Sequence, residues 1–186
     1  MGAKIRTLPT EFPEMFFVGI IISVIAFALF CAVSLFLYKR QKFNKIQCFA
    51  AILLSLYIVV MLYFTVVGRY QHKEYNYRIN FFTSYKWFFE YNGRQVFRQL
   101  LINFVMLVPV GFLLPFIINV KHKYLITMAL SLLLTAFIET AQLITQCGTF
   151  EIDDIINNFV GAVLGMLLYM LLDRIIQKRK NKRKSL

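Results

Sequence analysis

Long apolar runs separated by short polar breaks make up most of this chain. A helix needs about 20 apolar residues to cross the hydrocarbon layer of a bilayer. Five runs reach that length, at residues 15–38, 48–67, 100–120, 124–144 and 155–176. The pattern therefore predicts an all-α fold, a polytopic integral membrane helical bundle with about five transmembrane helices.

Composition agrees with a membrane protein. Hydrophobic residues make up 59% of the 186 residues, and 21 Lys and Arg stand against 9 acids for a net charge of +12. The basic residues form blocks beside the apolar runs, which is typical of chains oriented in a membrane and touching anionic headgroups. We therefore expect membrane lipids as partners and no nucleic acid. The first run is longer than a signal-peptide core, so we expect it to be retained as a span.

The basic blocks also predict an orientation, since Lys and Arg beside spans stay in the cytoplasm. The blocks are Lys39, Arg40, Lys42 and Lys45; Lys121 and Lys123; and Lys178, Arg179, Lys180, Lys182, Arg183 and Lys184. With five spans, the N-terminus and the 68–99 segment then lie outside and the C-terminus is cytoplasmic. The 68–99 segment carries six basic residues of its own, so either these have partners or the predicted topology is wrong.

The 68–99 segment is crowded with aromatic side chains. They are Tyr70, Tyr75, Tyr77, Phe81, Phe82, Tyr85, Trp87, Phe88, Phe89, Tyr91 and Phe97. Aromatic rings interleaved with Arg and Lys suit the layer between lipid and water. We expect the segment to lie on the outer leaflet, either as an ordinary anchor or as a lid that grips a ligand.

The third span contains the helix breakers Pro109 and Pro115. Prolines free backbone carbonyls, which must find partners inside a bundle because lipid offers none. We expect a kinked, centrally packed helix with Gly111 at a packing contact. Asn103 should lie about one turn below the outer surface, with Arg98 just above it.

Polar and small residues line one face of each of the last two spans. In the fourth span they are Ser131, Thr135, Glu139 and Gln142, and in the fifth they are Asp154, Asn158, Gly161 and Gly165. Gly161 and Gly165 allow close approach of a neighbouring helix, although the spacing is common in membrane helices.

The predicted orientation brings seven polar side chains to a similar depth near the outer surface. This predicted polar cluster consists of Arg98, Asn103, Glu139, Gln142, Asp153, Asp154 and Asn158. Burying an ionisable group in a membrane costs about 2.5–3.5 kcal/mol even on lenient scales, so such groups mark candidate functional sites. The plainer alternative is a structural role, in which Glu139 is hydrogen-bonded to Asn103 or paired with Arg98 and needs no ligand. One of Asp153 and Asp154 is expected to cap a helix start, and the sequence does not decide which one faces the cluster.

Known catalytic motifs do not assign any catalytic residue. The chain has no His pair of the zinc peptidase type, no Gly-x-Ser-x-Gly turn and no phosphate-binding glycine loop. Cys31, Cys48 and Cys147 form no spaced motif, so we expect free thiols, no metal and no cofactor. Glu139 with a nearby Asp would still suit a divalent cation or an acid/base pair.

Several motifs together resemble the VanZ-like family over residues 78–172. They are Arg78-x-Asn80; Arg98 and Asn103 followed by Pro109-x-Gly111 and Pro115; Glu139-x-x-Gln142; and Gly-Thr-Phe-Glu-Ile-Asp-Asp-Ile-Ile-x-Asn158 with Gly161 and Gly165. The stretch from Glu139 to Asn158 is the most specific part. The resemblance divides the chain into an N-terminal two-span region (1–67), a VanZ-like domain (68–172) with its interfacial segment at 68–99, and a basic cytoplasmic tail (173–186).

The resemblance implies a bacterial cell-membrane protein, mostly of Gram-positive organisms, associated with low-level resistance to the lipoglycopeptide teicoplanin. We expect the polar cluster to engage the drug or a lipid at the outer leaflet, with Arg78 and Asn80 contacting the headgroup or ligand. One alternative is an intramembrane enzyme that modifies a lipid or a lipid-linked cell-wall precursor, with Glu139 and Asp154 as acid/base groups or metal ligands. A transporter would need a dimer, and the oligomeric state stays open.

Overall fold

A computed structural model of the chain describes residues 12–67, 76–90 and 93–184. Its helices and strands, in order, are α1 (Phe12–Lys39), α2 (Lys45–Leu62), a π-helical turn (Tyr63–Val67), β1 (Asn76–Arg78), α3 (Thr83–Glu90), α4 (Gly93–Met106), α5 (Val108–Ile117), α6 (Lys123–Ile144), β2 (Thr149–Glu151) and α7 (Ile152–Lys184). Within these residues, five helical stretches are long and apolar enough to cross a membrane. The predicted all-α bundle with five spans is confirmed.

Two span boundaries differ from the predicted ones by more than three residues. The third span begins at Gly93 rather than at residue 100, because the helix continues through the polar turns before its apolar run. The last helix continues to Lys184, beyond the predicted end at 176. Lys and Arg are good helix formers, so the helix need not end where the hydrophobic stretch does.

Part of the predicted interfacial segment lies outside the described residues, namely 68–75 and 91–92, with Tyr70, Tyr75 and Tyr91. The described part forms β1, α3 and the first turns of α4. Several of its aromatic rings are exposed, and Phe89 is 83% exposed.

The spans alternate in direction, so the breaks between them gather at two ends of the bundle. The breaks after α1 and after α5 lie at one end, together with their lysines and the basic end of α7. The end of α2, the start of α4, the end of α6 and the start of α7 meet at the opposite end, which we call the polar end.

Helix α7 is the centre of the packing and touches α4, α5 and α6. Its glycines lie directly against the backbone of the third span, where a Cβ at Gly161 would overlap the Phe104 carbonyl and one at Gly165 would overlap the Val108 carbonyl. Gly111 of α5 lies in the same way against the carbonyl of Ala162. The three glycines therefore let α7 lie directly on α4 and α5.

The third span is interrupted at Leu107, between α4 and α5. Pro109 follows in the first turn of α5 and has no N–H to donate to the preceding turn. The Tyr57 hydroxyl of α2 donates to the Met106 carbonyl at 2.7 Å, so this carbonyl is satisfied inside the bundle. Leu107 and Pro115 are buried in the core, which places the interrupted helix centrally.

Helix α1 lies at the edge of the bundle. It packs on α2 and the π-helical turn, where the Cys48 thiol reaches the Ser34 carbonyl at 3.6 Å. Its other described side chains are mostly exposed, as at Ile22 and Leu29, and suit contact with lipid.

Candidate functional site

The polar end of the bundle contains an open cavity of about 890 Å³. Its walls come from one side of α4 along its whole length, the π-helical turn, β1, the last turns of α6, the loop and strand before α7, and the first turn of α7. Ligand pockets in proteins have volumes of about 300–1,000 Å³, so this cavity is large enough for a small molecule or a lipid headgroup.

Six of the side chains singled out in the sequence line this cavity. They are Arg78, Arg98, Asn103, Glu139, Gln142 and Asp154. Three others do not line it, namely Asn80, which is exposed, and Asp153 and Asn158, which are buried elsewhere. The cavity also uses Gln95, Gln99, Thr149 and Glu151, which were left out of the predicted cluster.

A short parallel strand pair joins the segment after α2 to the loop before α7. Residues 76–78 of β1 pair with 149–151 of β2, which places Arg78 opposite Glu151. The Arg78 guanidinium forms an ion pair with Glu151 at 3.1 Å, and the Ser84 hydroxyl donates to the other oxygen of Glu151 at 3.0 Å. Glu151 therefore connects α3 to β1, whose Arg78 lines the cavity.

Glu139 is anchored from the same strand. The backbone N–H of Glu151 donates to Glu139 Oε2 at 3.2 Å, and Glu139 is only 2% exposed. The contact differs from the plainer alternative, which paired Glu139 with Asn103 or Arg98. The physical reason is that β2 packs against the end of α6 and brings the backbone N–H of Glu151 within hydrogen-bond distance of Glu139.

The adjacent side chains of Asp153 and Asp154 have different hydrogen-bond partners. Asp153 Oδ1 accepts from the Phe82 N–H at 2.7 Å and Oδ2 accepts from the Ser84 N–H at 2.9 Å, so this side chain caps the start of α3. Phe82 has a positive φ of 62°, a backbone conformation that is uncommon for this residue type. Asp153 therefore stabilises a turn from a distant part of the chain.

Asp154 faces the cavity and is 7% exposed. Gln99 Nε2 donates to its Oδ2 at 3.4 Å, and the Asn103 amide lies beside the carboxylate. Among the described residues, Asp154 Oδ1 is buried and has no hydrogen-bond partner. The acids Glu151 and Asp153 lie near it, and Asp154 forms no ion pair among the described residues.

Asn158 lies deeper, in the contact between α6 and α7. Its Nδ2 donates to Thr135 Oγ1 at 3.0 Å, and its side chain is fully buried. Asn158 Oδ1 and Ser131 Oγ are buried without a hydrogen-bond partner among the described residues. This group joins two helices and lies outside the cavity.

Tyr85 and Asn157 connect α3, α4 and α7 beside the cavity. The Tyr85 hydroxyl donates to Asn157 Oδ1 at 3.5 Å, and Asn157 Nδ2 donates to the Leu100 carbonyl. Burial raises the pKa of Tyr85, and the carboxylates of Asp153 and Asp154 raise it further. The phenol therefore stays neutral and able to donate near neutral pH. Sequence reasoning missed Asn157, although its place next to Asn158 was a visible signal.

No group of three or more His, Cys, Asp or Glu within the described residues is arranged to hold a metal ion. The described cysteines form no disulfide. The groups that line the cavity are carboxylates, amides and guanidinium groups at the polar end of the bundle.

A bundle of membrane-length helices with a ligand-sized polar cavity at one end defines a multi-pass membrane protein with a candidate binding site. A family model described as VanZ/LLP1 matches residues 49–173, which is most of the chain. The protein belongs to the VanZ/LLP1 family, and the predicted family membership is confirmed. The match begins in α2, earlier than the predicted resemblance, and leaves out α1. No curated protein and no solved structure matches the chain.

Proposed function

We propose that the protein reduces the access of teicoplanin-type lipoglycopeptides to the outer face of the bacterial cell membrane. It does so by engaging the drug or a lipid in the polar cavity. The observation that carries the proposal is this cavity of about 890 Å³, which lies at the end opposite the basic blocks. If those blocks are cytoplasmic, the cavity opens outward and the N-terminus lies outside.

The cavity wall suits an amphiphilic ligand. Polar groups from α6 and α7 are combined in this wall with Ile102 and Met106 of α4. Ile102 is 51% exposed on a helix of the membrane bundle, so an acyl chain can leave the cavity along this residue toward lipid. Teicoplanin anchors in the membrane through an acyl chain, so a protein that binds at the same interface competes with that anchoring.

Drug susceptibility of a Gram-positive host tests the proposal. The host would express wild type, Glu139→Gln, Asp154→Asn and the control Asp173→Asn, which makes the same chemical change on α7 far from the cavity. Membrane levels would be checked by immunoblot. We expect wild type and Asp173→Asn to protect against teicoplanin more than against vancomycin, which lacks the acyl chain, and both cavity variants to lose protection. Equal protection against both drugs would contradict competition for anchoring, and protection by the cavity variants would exclude a role for these two carboxylates.

A second candidate is an enzyme that modifies a lipid or a lipid-linked cell-wall precursor. It is favoured by one observation, that Glu139 and Asp154 line the same cavity from neighbouring helices. Lipid extracts of expressing cells should then contain a changed species that is absent with Glu139→Gln. Identical lipid profiles with and without the protein would count against this candidate.

A further inference from the structure

We infer that the cavity binds the primary ammonium group of a zwitterionic amphiphile, with Asp154 facing the ammonium and Arg98 facing its anionic group. The inference rests on the proposed function, because it names the chemical class of ligand for the same cavity. A lipid headgroup or a lipoglycopeptide can supply this chemistry, and the experiment below separates the two sources.

The described charged side chains that line the cavity differ in whether they form an ion pair. Among the described residues, the cavity is lined by the acids Glu139, Glu151 and Asp154 and by the cations Arg78 and Arg98. Arg78 is already paired with Glu151. Asp154 and Arg98 form no ion pair among the described residues and line the same cavity, which favours a ligand that carries a cation as well as an anion.

Asp154 shows where the cation belongs. Its carboxylate is more than nine-tenths buried, and Oδ1 has no hydrogen-bond partner among the described residues, although it lines the cavity. A buried charge is costly unless it is paired and hydrogen-bonded. An ammonium group supplies a positive charge and three N–H donors in one small group, which is the partner that this carboxylate lacks.

Arg98 shows where the anion belongs. Its side chain is exposed at the cavity wall and makes no ion pair or hydrogen bond among the described residues. A guanidinium matches the geometry of phosphate and carboxylate groups. Ile102 follows one turn later on α4 and reaches the lipid-facing surface. This arrangement orders the ligand, with the ammonium next to buried Asp154, the anionic group at Arg98 and the acyl chains along Ile102.

Native mass spectrometry of the full-length protein in detergent tests the inference. The protein would be mixed with equal amounts of phosphatidylethanolamine, phosphatidylglycerol and phosphatidylcholine of the same acyl chains. We expect wild type to retain phosphatidylethanolamine about tenfold over the other two, equivalent to about 1.4 kcal/mol. Phosphatidylglycerol lacks the ammonium, and the quaternary ammonium of phosphatidylcholine has no N–H to donate. Asp154→Asn should abolish this preference, whereas Asp173→Asn should keep it.

Equal retention of the three lipids by wild type would overturn the inference, and this comparison needs no variant to fold. A preference that survives in well-folded Asp154→Asn would also overturn it. So would a divalent cation that raises the melting temperature and displaces phosphatidylethanolamine, because the carboxylates would then form a cation site.

Added teicoplanin separates the two sources. If the drug displaces phosphatidylethanolamine from wild type, the ammonium site accepts the drug. If phosphatidylethanolamine stays bound and the protein still prefers it over the other two lipids, the lipid headgroup is the ligand. The susceptibility measurement is independent of this result. Drug protection without any lipid preference would overturn the ammonium site and leave the proposed function standing. A lipid preference without drug protection would support the ammonium site and overturn the proposed function.

Discussion

Helices α1 and α7 are both long and apolar, yet they hold different places in the bundle. Within the apolar window of each span, 6% of the α1 residues are buried, against 39% in α7. Lipid chains are as apolar as leucine, so hydrophobicity places a helix in the membrane without fixing its neighbours. Close backbone contacts at small residues and buried polar groups fix them. Helix α7 has both, as at Gly161 and Asn158, whereas the small residues of α1 are mostly exposed or half-buried and Ser34 is its one buried polar side chain among the described residues.

The largest effect should come from filling the close contact of α7. Gly161→Val places a side chain on the Phe104 carbonyl, which is backbone and cannot rotate away. We expect the free energy of unfolding to fall by more than about 2 kcal/mol, as overpacking of a rigid contact does. Size-exclusion profiles and thermal unfolding in detergent measure the effect. Ala28→Val on the exposed face of α1 is the matched control and should leave both unchanged. Normal stability of Gly161→Val would show that α7 does not lie directly on α4.

The next effect concerns the polar end, where α7 holds α3. Asp153→Ala removes the acceptor of the Phe82 and Ser84 N–H groups. Hydrogen bonds to charged groups contribute about 1.5–3 kcal/mol, so α3 should lose much of its protection. Hydrogen exchange of the α3 amides measures this directly.

Asp173→Ala is the control for this change, since Asp173 lies at the other end of α7, where it accepts a weak hydrogen bond from Gln177 at 3.4 Å and attracts Lys123. Equal protection of α3 in Asp153→Ala and wild type would mean that the turn at Phe82 is stable without its cap.

A smaller effect is expected at the interruption of the third span. Tyr57→Phe keeps the ring and removes the donor to the Met106 carbonyl. The loss should be about 1 kcal/mol, the usual contribution of one neutral hydrogen bond. Thermal unfolding compares it with Tyr38→Phe, which makes the same change near the end of α1. If the two variants melt alike, the Met106 carbonyl does not depend on Tyr57.

The spans could be predicted because a run of about 20 apolar residues usually forms a transmembrane helix. The start of the third span could not, since the polar turns at 93–99 give no hydropathy signal and become helical by continuing the helix that follows. The pairing of β1 with β2 was also invisible, because three-residue strands 73 residues apart carry no local pattern.

The candidate site was predictable to the level of residue type and depth. The stripes on α6 and α7 brought Glu139 and Asp154 to one end, and the structure places both in one cavity. Which of the two adjacent aspartates faces that cavity depends on the position of α3, whose contact with Asp153 is set by tertiary structure. Asn158 has the same periodicity as Asp154 but lies one turn deeper, where α6 and α7 close on each other.

The smallest effect is expected on the outer face of α1. Leu29 is 62% exposed, and in a membrane its neighbours on that face are lipid chains rather than water. Leu29→Ala removes apolar volume without opening a cavity inside the bundle, so the free energy of unfolding should change by less than about 0.5 kcal/mol. Leu107→Ala, at a fully buried position, is the contrasting change and should cost about 2–5 kcal/mol. If Leu29→Ala were as harmful as Leu107→Ala, the outer face of α1 would be packed against protein in the membrane. The difference between α1 and α7 would then reflect a missing neighbour rather than the residues of α1.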